Sequence, residues 1–198
     1  MTVLALPVAA HAQTADGAHA AGVAIELRLE SSDGLRDSDF PATLPAVGGA
    51  IFLGYAMPRL TIGLGLDLER TNSSWSDGVT DSSYTTTDFI VMPGARISLA
   101  RAADGRTELL GSADVGYGQM SVSSSPSEGD DPEPVDHWRV QAGPALRYWV
   151  SPSFALGATT GIRHDSLGQN TPLGNGTSSS DSRSVTSIYT SLNLTGVF

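Results

Sequence analysis

Residues Val185 to Phe198 read VTSIYTSLNLTGVF, with a strict period of two. Successive side chains of a β-strand point to opposite faces. Thr186, Ile188, Thr190, Leu192, Leu194, Gly196 and Phe198 therefore share an oily face, and Ser187, Tyr189, Ser191, Asn193 and Thr195 share a polar one. A large apolar residue at the last position, in phase with the oily face, predicts a paired strand rather than a fraying tail.

Working outward from this strand, the same alternation recurs. Val23, Ile25, Leu27 and Leu29 oppose Glu26, Arg28 and Glu30. Leu60, Ile62, Leu64, Leu66 and Leu68 oppose Thr61, Gly63, Gly65, Asp67 and Glu69. Phe89, Val91, Ala95, Ile97 and Leu99 oppose Met92, Gly94, Arg96 and Ser98, and Leu109, Ala113, Val115 and Tyr117 oppose Ser112, Asp114, Gly116 and Gly118. Trp138, Val140, Ala142, Leu146, Tyr148 and Val150 oppose Arg139, Gln141, Gly143 and Arg147. Phe154, Leu156, Ala158, Thr160 and Ile162 oppose Gly157, Thr159, Gly161 and Arg163. Thr43–Tyr55 is a further strand whose phase stays open, because Val47, Ile51, Leu53 and Tyr55 compete with Leu44 and Phe52.

Connections between these strands alternate in length. Ser32–Ala42, Thr71–Ser83, Ser121–Asp136 and Ser166–Ser184 are long and polar, while Ala56–Arg59, Arg101–Arg106 and Ser151–Ser153 are tight turns, the second carrying an Asp-Gly hairpin signal. An even strand number, short turns at one end and long loops at the other predict an all-β, eight-stranded antiparallel up-and-down transmembrane barrel. Strands of about twelve residues tilted by about 45° span roughly 28 Å, enough for the apolar band of such a barrel.

The signs and positions of the charges favour a membrane barrel over a soluble one. A soluble sandwich or lipocalin keeps its oily face inside and scatters charge along the outside. Here the polar face is sparse in charge and rich in glycine, serine and threonine, which suits a narrow lumen filled by side chains. Its signs nearly balance: Glu26, Glu30, Asp67, Glu69 and Asp114 meet Arg28, Arg96, Arg139, Arg147 and Arg163. Buried charges persist when paired, so an interior ion-pair network is expected. The long loops and their edges hold Asp33, Asp37, Asp39, Asp77, Asp81, Glu128, Asp130, Asp131, Glu133, Asp136, Asp165 and Asp181, against Arg36 and Arg183 alone. The whole net charge of -10 thus sits at one end, the end expected to face the cell exterior. Tyr55, Tyr148, Phe154 and Phe198 near the short turns, and Phe89, Tyr117 and Trp138 near the long loops, read as two interfacial aromatic belts.

Composition narrows the field further. The absence of cysteine excludes disulfides and thiolate metal sites. No run of about 18 apolar residues exists, so no spanning helix is expected. An acidic chain is a poor nucleic-acid ligand. Met1–Ala12 has a short apolar core ending in the A-x-A motif Ala10-His11-Ala12. This gives residues 1–12 as a signal-peptide remnant, 13–20 as a short tail and 21–198 as the barrel domain.

Three features together carry a resemblance: the A-x-A leader, turns such as Trp149-Val150-Ser151-Pro152-Ser153-Phe154-Ala155-Leu156-Gly157, and the terminal Leu192–Phe198. The chain resembles the small outer-membrane barrels of the OmpA/OmpX type. The resemblance implies integral residence in the bacterial outer membrane after export through the periplasm. It implies contact with lipid and lipopolysaccharide, and Phe198 as a signal read by the barrel-assembly machinery. It names no loop ligand and implies no cofactor. A structural or surface-interaction role is expected, and no open pore, because eight strands leave a lumen filled by side chains.

Two alternatives stand beside this reading. His164-Asp165-Ser166 resembles the His-x-Ser pair of lipid A deacylase barrels, with His164 and Ser166 on the outward face. A serine nucleophile needs its base within hydrogen-bond reach and a third group behind the base. No glutamate follows Glu133, so Asp181 is the candidate for that place, and a polar strand end is the simpler reading. The other alternative is a soluble secreted barrel enclosing a small apolar ligand. Glu128–Asp136, EGDDPEPVD, is carboxylate-rich but lacks the glycine and glutamate placement of an EF-hand, and no histidine cluster offers a metal site.

Overall fold

The computed structural model describes residues 21–34, 46–76, 81–125, 134–173 and 177–198. Eight strands follow one another: β1 (Gly22–Gly34), β2 (Ala46–Ala56), β3 (Leu60–Ser76), β4 (Asp81–Arg101), β5 (Thr107–Ser125), β6 (Val135–Ser151), β7 (Phe154–Leu173) and β8 (Thr177–Val197). Each pairs antiparallel with its sequence neighbours, and β8 returns to β1 to close the barrel. Closure runs from Ala24↔Val197 to Gly34↔Ser187. The last residue is inside the ladder: Val23 N–H donates to Phe198 O at 2.8 Å and Phe198 N–H to Val23 O at 2.9 Å. No sheet edge is left along this seam.

The turns at one end are tight for stated chemical reasons. Gly105 adopts a φ of 68°, in the left-handed region that favours glycine. The Asp104 side chain accepts the Arg106 N–H at 2.9 Å, and Ala102 N–H donates to Thr107 O at 2.8 Å. Met57 N–H donates to Leu60 O at 2.7 Å in the preceding turn.

The alternation sorts as the sequence pattern requires, with oily residues outward. Leu64 and Leu66 are 47% and 43% exposed, while Asp67 beside them is 2% exposed. The phase left open for β2 is resolved: Ile51, Leu53 and Tyr55 face outward and Phe52 faces the lumen. The ring fits because its inward neighbours are small. Ala50 and Gly54 flank it on β2, and Gly65 lies opposite on β3. A Cβ on Gly54 would come within 2.8 Å of the Phe52 ring. The lumen also holds Ile90, Met92, Leu110, Trp149 and Tyr189, so its filling is mixed rather than purely polar. Gly116 makes room for Ile90 and Met92, since an added Cβ would strike both.

Two of the long polar stretches expected to be loops are largely strand, and a third begins as strand. β3 continues to Ser76 and β4 begins at Asp81; β7 continues to Leu173 and β8 begins at Thr177; β5 runs to Ser125. Above the apolar band both faces meet a polar medium, so alternation disappears from the sequence while hairpin pairing continues. Two prolines interrupt the ladder instead. Pairing of β4 with β5 skips Met92 and Pro93, and pairing of β6 with β7 skips Gly143 and Pro144. Proline has no N–H to donate.

Candidate functional site

The inward face of the barrel carries a column of charge from the short-turn end to the long-loop end. At the short-turn end Arg101 pairs with Glu108 at 2.9 Å, and the Trp149 indole N–H donates to Glu108 at 3.3 Å. Arg147 lies 3.4 Å from Glu26 and 3.8 Å from Glu108. Glu26 is also 3.6 Å from both Arg28 and Arg96.

In the middle of the lumen Asp114 accepts from three partners: Arg96 at 2.8 Å, Arg28 at 3.2 Å and Gln141 at 3.2 Å. Arg28 also reaches Glu30 at 3.1 Å, and Arg163 joins Glu30 on its other side. Arg163 donates to Gln141 at 3.1 Å and to Glu69 at 3.2 Å. Aromatic rings fill the gaps between these groups. The Arg96 guanidinium stands 4.7 Å from the Phe52 centroid, Arg147 5.6 Å from Trp149, and Arg163 5.5 Å from Tyr189. A guanidinium over a ring face is attracted by the ring quadrupole.

Toward the long-loop end Arg139 is the hub. It meets Asp165 at 2.6 Å, Asp67 at 2.7 Å, Asp88 at 3.2 Å and Glu69 at 3.3 Å. His137 sits two residues further out, 3% exposed, with Nε2 2.8 Å from Asp165 and Nδ1 2.7 Å from Asp88. The nine network residues read from the sequence, Glu26, Arg28, Asp67, Glu69, Arg96, Asp114, Arg139, Arg147 and Arg163, all point inward. Glu30 does as well.

Asp88, Arg101, Glu108, His137 and Asp165 also belong to the column, and the sequence reading does not include them as members. Asp88 shares the even-numbered phase of Met92 and Arg96, Glu108 that of Ser112 and Asp114, and Asp165 the odd-numbered phase of Arg163. Extending each phase by one or two positions finds them. The sequence pattern puts Asp165 at a loop edge, and the structure corrects this: it lies on β7 against Arg139.

Buried charges must be paired to be tolerated, and guanidinium–carboxylate pairs satisfy both sign and geometry. The short-turn mouth retains a cavity of about 30 Å³ with a mixed lining, beside Glu26 and Arg101, each of which has one atom without a hydrogen-bond partner. That is room for about one water.

Of the residues weighed for catalysis, His164 and Ser166 lie on β7 and Asp181 on β8. His164 Nδ1 lies 3.0 Å from Thr186 Oγ1, on the exposed face. Ser166 follows two positions along the same strand. Asp181 pairs in register with Gln169, three residues beyond Ser166 along β7. Among the described residues no group of His, Cys, Asp and Glu is arranged to hold a metal ion. Residues 1–20, expected from the sequence to be a signal-peptide remnant and tail, and positions 128–133 of the acidic stretch lie outside the described residues.

On the outer wall Tyr55, Tyr148, Phe154 and Phe198 ring the short-turn end, and Phe89, Tyr117 and Trp138 stand toward the other. Tyr117 and Trp138 pack with centroids 4.8 Å apart, and the Tyr117 hydroxyl donates to Asp136 at 2.8 Å.

Closed eight-stranded topology, leucines outward and arginines inward define a class: the small barrel of outer-membrane type. Solved structures share this fold. Neisserial surface protein A is similar over 90% of this chain and 97% of its own, with a TM-score of 0.53 and 15% identity. A major outer membrane protein from Thermus thermophilus is similar over 91% of this chain and 100% of its own, with a TM-score of 0.55 and 13% identity. No protein-family model matches the chain, and no curated protein matches it.

Proposed function

We propose that this chain is an integral barrel of the bacterial outer membrane, exported through the periplasm, with a structural or surface-interaction role and no open pore. One observation carries the reading: the lumen is occupied by paired charges and rings, while the outer wall presents leucine, isoleucine and valine. An aqueous channel of any width would have to break that column. An apolar ligand would find the lumen charged, which disfavours the soluble ligand-binding alternative. The polar, acid-rich ends of the strands are then the part available to partners outside the cell, and the aromatic rings seat the barrel at the two interfaces.

The lipid A deacylase alternative draws no support from the described residues, among which His164 meets Thr186. Liposome swelling tests the sealed reading. Vesicles carrying the purified barrel are expected to exclude small sugars as well as protein-free vesicles do. Rapid sugar uptake would contradict it.

A further inference from the structure

His137 is placed unlike any other ionisable group of the lumen. It stands two residues beyond Arg139 on β6, toward the long-loop end, and both of its ring nitrogens face carboxylates: Nε2 faces Asp165 of β7 at 2.8 Å, and Nδ1 faces Asp88 of β4 at 2.7 Å. The second is a close contact without in-line hydrogen-bond geometry. The remaining charged groups around it are Arg139 on its own strand, with Asp67 and Glu69 of β3 behind Arg139. On β5 the residue opposite is Gly118, which brings no charge, and Asp136 beside His137 faces outward to Tyr117.

A neutral imidazole has one N–H donor and one lone pair. Between two carboxylates that lone pair would face an anion. Only the doubly protonated ring presents an N–H to each side. Around Arg139 four carboxylates converge, Asp67, Glu69, Asp88 and Asp165, and among these contacts Arg163 offsets Glu69 alone. The proton on His137 is therefore the removable positive charge of this end.

We propose that His137 is a proton-operated latch at the loop-side mouth of the lumen. The imidazolium ties β4 to β7 through β6, and loss of one proton releases one arm and loosens the outer ends of these three strands. The proposal goes beyond the sealed-barrel reading, which concerns whether the lumen conducts.

The test uses the whole barrel in detergent micelles with ¹⁵N-labelled histidine. Both ring nitrogens of His137 are expected at imidazolium shifts near neutral pH, with the exposed His164 ring, on the outer wall, as the assignment control. Normalised amide protection at the outer ends of β4, β6 and β7 should fall about tenfold as the His137 ring loses its proton, the loss expected for one charge-assisted contact. In His137→Gln the same amides should show no step with pH. A neutral His137 ring near neutral pH, an unchanged protection through its titration, or an equal step in His137→Gln would each overturn the latch. Should His137→Gln fail to fold, Asp88→Asn decides. Removing one acceptor should move both the ring titration and the protection step to lower pH together, and a step that stays put refutes the proposal. Vesicle leakage that is independent of pH, with the titration intact, would count against the sealed reading and leave the latch standing.

Discussion

Arg139 shows how much one side chain can hold in a closed lumen. It touches carboxylates from β3, β4 and β7, so its removal takes away the guanidinium that Asp67 pairs with and leaves Asp88 and Asp165 sharing His137. Truncating one partner of a buried pair costs about 3–5 kcal/mol, because the other charge remains in a poor solvent. Arg139→Ala is expected to lower unfolding stability in micelles by an amount in that range, measured by urea titration. A loss under about 1 kcal/mol, the scale of an exposed pair, would mean that water reaches the site freely. His164 makes the opposite case. It lies on the outer wall with Thr186 as its contact. Wild type and His164→Ala are expected to give equal, negligible release of acyl chains from lipid A. Activity lost in the variant would reinstate the enzyme.

At the scale of a strand, what was legible in the sequence depended on what surrounds the strand. Within the apolar band, lipid on one side and the lumen on the other impose opposite polarity, so β1, β3 and β8 could be read residue by residue. β2 resisted, because Phe52 is an apolar residue on the polar side. Only the pocket made by Ala50, Gly54 and Gly65 explains it, and that pocket spans two strands. The long-loop ends of β3, β4, β7 and β8 resisted for another reason: outside the band no contrast of solvents marks the faces. The ion-pair members within the band followed from phase alone, whereas their partners did not, since contacts such as Arg28 with Asp114 cross the lumen between strands that are not neighbours. The glycine that makes room for Ile90 and Met92 gives an element-level prediction. Gly116→Val puts a branched side chain where Met92 and Ile90 already meet an ideal Cβ. Overpacking of this kind costs typically about 1–3 kcal/mol. Reduced stability with an unchanged strand content by circular dichroism is expected, and a neutral effect would show that the lumen is loosely filled there.

The whole molecule is an inverted globule, with its ionic core enclosed by a greasy wall that is closed by the final residue. Two consequences follow. Phe198→Gly removes the last outward ring beside the closing hydrogen bonds to Val23, and slower insertion into bilayers than wild type is expected from refolding kinetics. Leu64→Arg places a guanidinium in the middle of the outer wall, at a cost of about 2–4 kcal/mol at the bilayer midplane. The most direct test of the inversion is nitroxide scanning along β3 in lipid vesicles, one label at a time at positions 62, 64, 66, 67 and 68. Labels at Ile62, Leu64, Leu66 and Leu68 should be accessible to oxygen dissolved in the bilayer, and a label at Asp67 should be shielded from it. The reverse alternation, with Leu64 and Leu66 shielded and Asp67 open to a water-soluble relaxant, would contradict the account.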